Sequence, residues 1–125
     1  MKIFINNTPL TVKLADTKTK QVKGLQNTPN LSQDSGMLFC YPHEKKVSFW
    51  MEKTTIPLSI AFIDKNKLIT QINDLEPLSK QSIKSNKKIK WALEVNQGWF
   101  SDNNISVGDN VEIPEDKKIK IRVLK

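Results

Sequence analysis

The chain is poor in the residues that carry the most recognisable chemistry. It has one cysteine, one histidine and a single arginine. A lone Cys40 excludes an internal disulfide. Cys40 and His43, spaced C-x-x-H, are the only soft metal ligands, and a structural zinc site normally takes four such ligands. No metal and no cofactor is therefore expected. Cys40 also stands within an apolar run, where a thiol ordinarily packs rather than reacts. There is no glycine-rich phosphate loop, no nucleophile elbow and no H-E-x-x-H. No stretch approaches the roughly 20 apolar residues of a membrane helix. The opening MKIFINNTPL has too short an apolar run for a signal peptide, so a cytoplasmic protein without a membrane span is expected.

The scarcity of arginine bears on the charge. The net charge is +7, and of the 20 basic residues all but Arg122 are lysine. Bidentate reading of guanine usually falls to arginine, so base-specific recognition is not expected. Lysine can still attract phosphate without regard to sequence, which leaves non-specific nucleic-acid contact open. The exposed candidates cluster at Lys80, Lys84, Lys87 and Lys88. Lysine, asparagine and isoleucine abound together, as they do where codons are AT-rich, and this accounts for part of the charge.

What the chain does have is alternation. Its 125 residues are one domain's length, read here as a single domain over 1–125. Ile3 and Ile5, then Leu10, Val12 and Leu14, alternate with polar neighbours on either side of Asn6-Asn7, predicting a hairpin. A short helix is predicted over 17–25, capped by Asp16 or Thr17, with Val22 and Leu25 sharing a face. Residues 26–35 read as a loop. GMLFCY at 36–41 is continuously apolar, as in a strand covered on both faces, and Pro42 should end it. In VSFWME, Val47, Phe49 and Met51 face one way, and Ser48, Trp50 and Glu52 the other. SIAFID and KLITQIND read as an antiparallel pair across Asp64-Lys65-Asn66. Residues 75–88 read as an exposed loop. Ile89, Trp91, Leu93 and Val95 alternate most cleanly of all, with Lys90, Ala92, Glu94 and Asn96 on the opposite face. Gly98 breaks that strand, Trp99 opens a helical turn, and Val107-Gly108-Asp109 is a tight turn. Ile119, Ile121 and Val123 form a last strand. The sum is an α+β fold, predominantly β. It has about eight or nine short strands and one or two short helices, in a strongly curved antiparallel or mixed sheet or a small open barrel.

Several ordered segments carry a resemblance: VKGL at 22–25, GMLFCYPHEKKVSFWMEKTTIPLSIAFID at 36–64, ALEVNQGW at 92–99 and ISVGDNVEI at 105–113. Together they are similar to the family known as domain of unknown function 192. Its pattern runs G-M-L-F, F-W-M-K-N-T-x-I-P-L-D-x-x-F-I, L-E-x-x-x-G-W and V-G-D. The resemblance implies a compact mixed β fold and no assigned activity, in a family spread through bacteria, archaea and their viruses. This chain departs from the pattern in having Glu52 and Lys53 for Lys-Asn, and Ser59 for Asp.

Candidate functional residues are sparse. Trp50, Glu52, Thr54 and Thr55 lie together beside a Pro57-containing loop. A tryptophan next to a carboxylate suits a small polar or cationic ligand, although packing is the commoner use of a large aromatic. Glu94, if buried, must find a hydrogen bond or a lysine, and Thr54 or Thr55 could supply the bond. These five residues make a candidate ligand-binding groove for a small molecule or peptide. A monomeric, non-catalytic binding or accessory module is the favoured reading. The alternatives are a hydrolase-like enzyme using Glu52, Glu94 or Asp64 as acid or base, and a basic protein touching nucleic acid or an assembly surface. Trp91 and Trp99 read as core, and Asp109 as a turn residue.

Overall fold

The alternating segments fold as strands in the computed structural model, which describes residues 1–114. The elements are β1 (Lys2–Ile5), β2 (Thr8–Ala15), α1 (Lys18–Lys23), β3 (Ser35–Lys45), β4 (Ser48–Phe49), β5 (Leu58–Ile63), β6 (Ile69–Leu75), β7 (Ile83–Lys84), β8 (Ile89–Asn96), α2 (Trp99–Asp102) and β9 (Val111–Glu112). The β1–β2 turn places Asn6 and Asn7 at φ 51° and 66°. Two successive positive φ values suit the twist of a two-residue hairpin, and asparagine tolerates them better than most side chains.

Among the described residues, seven strands form one sheet in the order β6-β5-β8-β3-β2-β1-β9, and β4 pairs with β7 in a small second sheet. Every pairing in the large sheet is antiparallel except β2 with β3. A parallel neighbour needs a crossover, and residues 16–34, with α1, provide it. The sheet curls until its edges meet at one end. There the Ile69 N–H donates to the Asp109 carbonyl at 2.9 Å, and the Val111 N–H to the Lys67 carbonyl at 2.8 Å. Curling in this way covers edge groups that would otherwise invite pairing with another chain.

Apolar side chains pack on both faces of the sheet. One core holds Ile3, Ile5, Leu10, Val12, Leu38, Ala61, Ile63, Leu93 and Val95, closed at one end by Trp99 and Phe100. The other holds Phe39, Leu58, Ile60, Phe62, Ala92 and Met51, with Phe49 packed against it. The central strand β5 is buried at all six positions because its odd and even residues each enter a core. Burying each of these larger side chains contributes roughly 1.5–3 kcal/mol. The predicted strand-rich, strongly curved α+β architecture is thus the one observed.

Local details differ from the sequence expectation. α1 is shorter than 17–25. Thr17 caps it by accepting from the Lys20 N–H at 3.2 Å, and Gly24 ends it at φ 49°. Val22 is exposed while Leu25 is buried, so the two do not share a face. Pro42 does not end β3. The β3–β8 register shifts between Cys40 and Lys45, and within such an irregular stretch a missing N–H breaks no regular ladder. Residues 75–88 include β7, whose Ile83 pairs with Phe49 across the small sheet. Ile89 packs with the Phe39 core rather than with Leu93, since it lies beyond that register shift and beyond the end of β5. The predicted strand at Ile119, Ile121 and Val123 lies outside the described residues.

Candidate cleft above the second core

The strand alternation that buries Leu93 and Val95 in one core turns Glu94 to the other face. Its direct cross-strand neighbours are Ile60 on β5 and Met37 on β3. Neither side chain offers a carboxylate a hydrogen-bond donor. Above this spot the packing over the sheet is incomplete and leaves an open cleft of about 600 Å³. Gln21, Gly24 and Leu25 wall it on one side, Phe49, Trp50 and Thr54 on the other, with Phe39, Tyr41 and Glu94 on the floor.

Both walls are held by named bonds. The Gln21 side-chain amide donates to the Cys40 carbonyl at 2.8 Å and to the Ala15 carbonyl at 3.1 Å, fastening α1 to the sheet. The Asn27 N–H donates to the Lys53 carbonyl at 2.8 Å, tying the two walls together below the cleft. The Leu78 N–H donates to the Thr54 carbonyl at 2.9 Å and supports the 50–54 turn from behind. Phe39 and Phe49 meet edge to face with centroids 4.9 Å apart, a favoured aromatic geometry.

Glu94 is the chemically distinctive group. Only 4% of it is exposed, and among the described residues its carboxyl group has no hydrogen-bond or ion-pair partner. Burial raises its pKa from an ordinary 4.5 to about 8, because the charged form loses water and gains nothing in return. At neutral pH it is therefore chiefly a neutral acid that can donate a hydrogen bond. Burial first, and then the neighbouring Glu94, push the Tyr41 phenol well above its ordinary value, so it too stays protonated. Lys18, Lys23 and Lys45 line the cleft, and Lys45 Nζ lies 5.7 Å from the Tyr41 ring centroid. Asp16 lines it as well and pairs with Lys20 at 3.6 Å.

Of the five residues singled out from sequence, Trp50, Thr54 and Glu94 line this cleft. Glu52 and Thr55 are exposed and lie outside its lining. The Thr54 hydroxyl donates to the Glu52 carbonyl at 3.1 Å rather than meeting Glu94. Asp64 is occupied in its own turn, where it accepts from the Asn66 and Leu68 N–H groups at 2.9 and 3.1 Å. Neither Glu52 nor Asp64 joins Glu94 as the second carboxylate an acid–base pair needs. Cys40 faces the first core, while His43 is exposed. Asp109 accepts from the Ser106 N–H at 2.8 Å and from the Asn6 side chain at 2.9 Å, a turn function. Tyr41, the α1 lysines and Gln21 were missed by sequence reasoning. Tyr41 lay in an apolar run with no polar signal, and α1 gave no hint of which strand it would cover.

The departures from the family pattern have local explanations. Lys53 has φ 55°, a conformation in which asparagine is several-fold enriched. The asparagine of the pattern thus suits the backbone of this turn. Lys53→Asn should stabilise the protein by about 0.5–1 kcal/mol, raising Tm by roughly 2–5 °C in a thermal melt. An unchanged or lower Tm would contradict that reading. Ser59 donates to Asp74 Oδ1 at 2.9 Å and accepts from the Gly98 N–H at 3.2 Å, so a carboxylate from the adjacent strand sits beside the position where the pattern has Asp.

Comparison with known proteins identifies the family and relatives that share the fold. Residues 1–113 match the family described as Uncharacterized ACR, domain of unknown function 192. No curated protein is significantly similar. A solved structure from Sinorhizobium meliloti 1021, described as a candidate transcription regulator, is 30% identical. It superposes with a TM-score of 0.83 over 89% of each chain. A protein of unknown function from Novosphingobium aromaticivorans DSM 12444 is 27% identical, with a TM-score of 0.86 over 90% of this chain and 84% of that one. Both share the fold, and neither description indicates catalysis. With a match spanning nearly its whole length, the chain belongs to the uncharacterised DUF192 family.

Proposed function

We propose that this protein is a small non-catalytic binding module whose cleft beside Trp50 receives a small molecule or the side chain of a peptide. The observation that carries this reading is the buried, unpartnered Glu94 carboxyl on the floor of an open cleft. The carboxyl oxygens open onto the cleft, so a ligand that enters can exchange hydrogen bonds with them. The cleft volume falls in the range of small-molecule sites, and its aromatic lining suits an apolar ligand body. Trp50, 53% exposed at the mouth, gains most from being covered.

A fragment screen on the whole chain by two-dimensional NMR tests this. Fragments should shift the amides of residues 21–25 and 49–54 together with that of Glu94. Trp50→Ala should weaken those fragments by about 5- to 30-fold. Because Trp50 is largely exposed, its removal should change stability by no more than about 0.5 kcal/mol. Fragments that gather elsewhere, or a Trp50→Ala protein that unfolds, would overturn the proposal.

Lysine-mediated contact with nucleic acid is the second reading. The S. meliloti neighbour is described as a candidate transcription regulator, and Lys80, Lys84, Lys87 and Lys88 are exposed here. This reading predicts retention on DNA that disappears at moderate salt.

A further inference from the structure

We propose that the cleft is an anion receptor: its ligand presents a carboxylate or phosphate group to the lysine-lined rim and accepts hydrogen bonds from the hydroxyls of Tyr41 and Glu94. This deepens the binding-module reading and rests on it.

The argument begins with what the cleft offers. Lys18 and Lys23 come from α1 and Lys45 from β3, so cationic side chains reach the rim from two elements. The Tyr41 phenol remains an O–H donor. The Glu94 carboxyl is walled by Ile60 and Met37, with no basic side chain paired to it among the described residues. A lysine paired to it would make it a charged acceptor; alone in apolar surroundings, it keeps its proton and donates. Among the described residues the remaining acid in the lining, Asp16, already has Lys20 as its partner. The ring of Trp50 covers the non-polar part of the ligand. A cationic ligand would meet repulsion at the rim and a neutral acid at the floor, so it fits worse on both counts.

The proposal carries a pH signature. Among the described residues, the charged and titratable groups lining the cleft with Glu94 are Asp16 in the β2–α1 connection, Lys18 and Lys23 on α1, and Tyr41 and Lys45 on β3. β4, β5 and the 50–54 turn contribute no titratable group to the lining. Burial pushes the Glu94 pKa up to about 8, so Glu94 changes state between pH 6 and 9. Once ionised it repels an anion and no longer donates to it.

Benzoate and benzylamine make a matched pair of probes, sharing a ring and opposite in charge. Each would be titrated into the full chain at low salt and followed by the amide shifts of the cleft residues. Benzoate should bind at pH 6 and lose about tenfold in affinity by pH 9. Glu94→Gln keeps a neutral donor and should flatten that loss to less than about twofold. The variant K18Q/K23Q/K45Q should weaken benzoate by about fivefold or more and abolish its salt dependence. The amide spectrum of each variant reports directly whether it is folded. Benzylamine binding more tightly than benzoate in the same cleft would overturn the anion proposal while leaving the binding module standing. Benzoate binding with no pH dependence would overturn the role given to Glu94. Failure of both probes, together with an empty fragment screen, would overturn both readings.

Discussion

Glu94→Gln should make the protein more stable at alkaline pH and leave it nearly unchanged at pH 4.5. An unfolded chain ionises this carboxyl near the ordinary 4.5, whereas the folded protein keeps its proton until about pH 8. Between those values the folded state binds more protons than the unfolded state, so stability falls as pH rises. The contribution is fully present below about pH 4.5 and is lost by the time pH passes the folded value. Summed over that interval, it amounts to about 3–5 kcal/mol, a large share of a small domain's total stability. Glutamine has no proton to lose and removes this slope. Urea denaturation of both proteins at pH 4.5, 6, 7 and 8 measures it. Stability curves that stay parallel would sink the claim that a lone buried acid lies on the cleft floor. The ligand experiment and this one read the same proton in different ways: one follows occupancy and the other follows folding.

The second large effect is expected at Gly36, the first residue of the G-M-L-F run. Gly36 pairs with Val95 across the β3–β8 ladder. A Cβ built there would stand 2.6 Å from the backbone carbonyl oxygen of Glu94 and 3.1 Å from Val95 Cγ1. The first of these is backbone in a central strand and cannot swing aside. Gly36→Ala must therefore separate β3 from β8, displacing Leu38 and Leu93 in one core and Phe39 and Ala92 in the other. The expected loss is about 3 kcal/mol, or roughly 10 °C in Tm. A thermal melt checks this, and a variant within about 1 °C of the parent protein would show that the two strands have more room than their close approach indicates. The same displacement would move Glu94, so the variant should also blunt the pH dependence of stability.

Much of the architecture was legible because it rests on a local signal. A period of two over Ile89–Asn96 assigns Leu93 and Val95 to one face and Ala92 and Glu94 to the other before any partner strand is known. The nearly all-apolar SIAFID segment announced a central strand, and the Asn6-Asn7 pair announced a hairpin. The errors fall where that signal is weak or where distant partners decide. β7 is two residues long and exists because Ile83 meets Phe49, a pairing with no periodicity of its own. Pro42 was read as a stop because the register shift beyond Cys40 could not be foreseen. Val22 was given a face in common with Leu25, but the length of α1 and its direction over the sheet were set by the Gln21 bonds and by the left-handed turn at Gly24.

The candidate site divides along the same line. Trp50, Thr54 and Glu94 stood out as residue types, but their shared cleft depends on β3 and β8 meeting beneath α1 and the 50–54 turn. Glu52 and Glu94 looked equally acidic in the sequence. Glu52 is exposed at the surface, whereas Glu94 sits between Ile60 and Met37, where burial keeps it a neutral hydrogen-bond donor. Residue order alone was enough for the strand-rich class, the inward face of each long strand and the family, because alternation and short motifs are properties of neighbours along the chain. Which acid would be stranded without a partner, and which lysines would stand over it, was decided only when segments far apart in sequence packed together, because burial and electric field belong to the space around a group and not to its place in the chain.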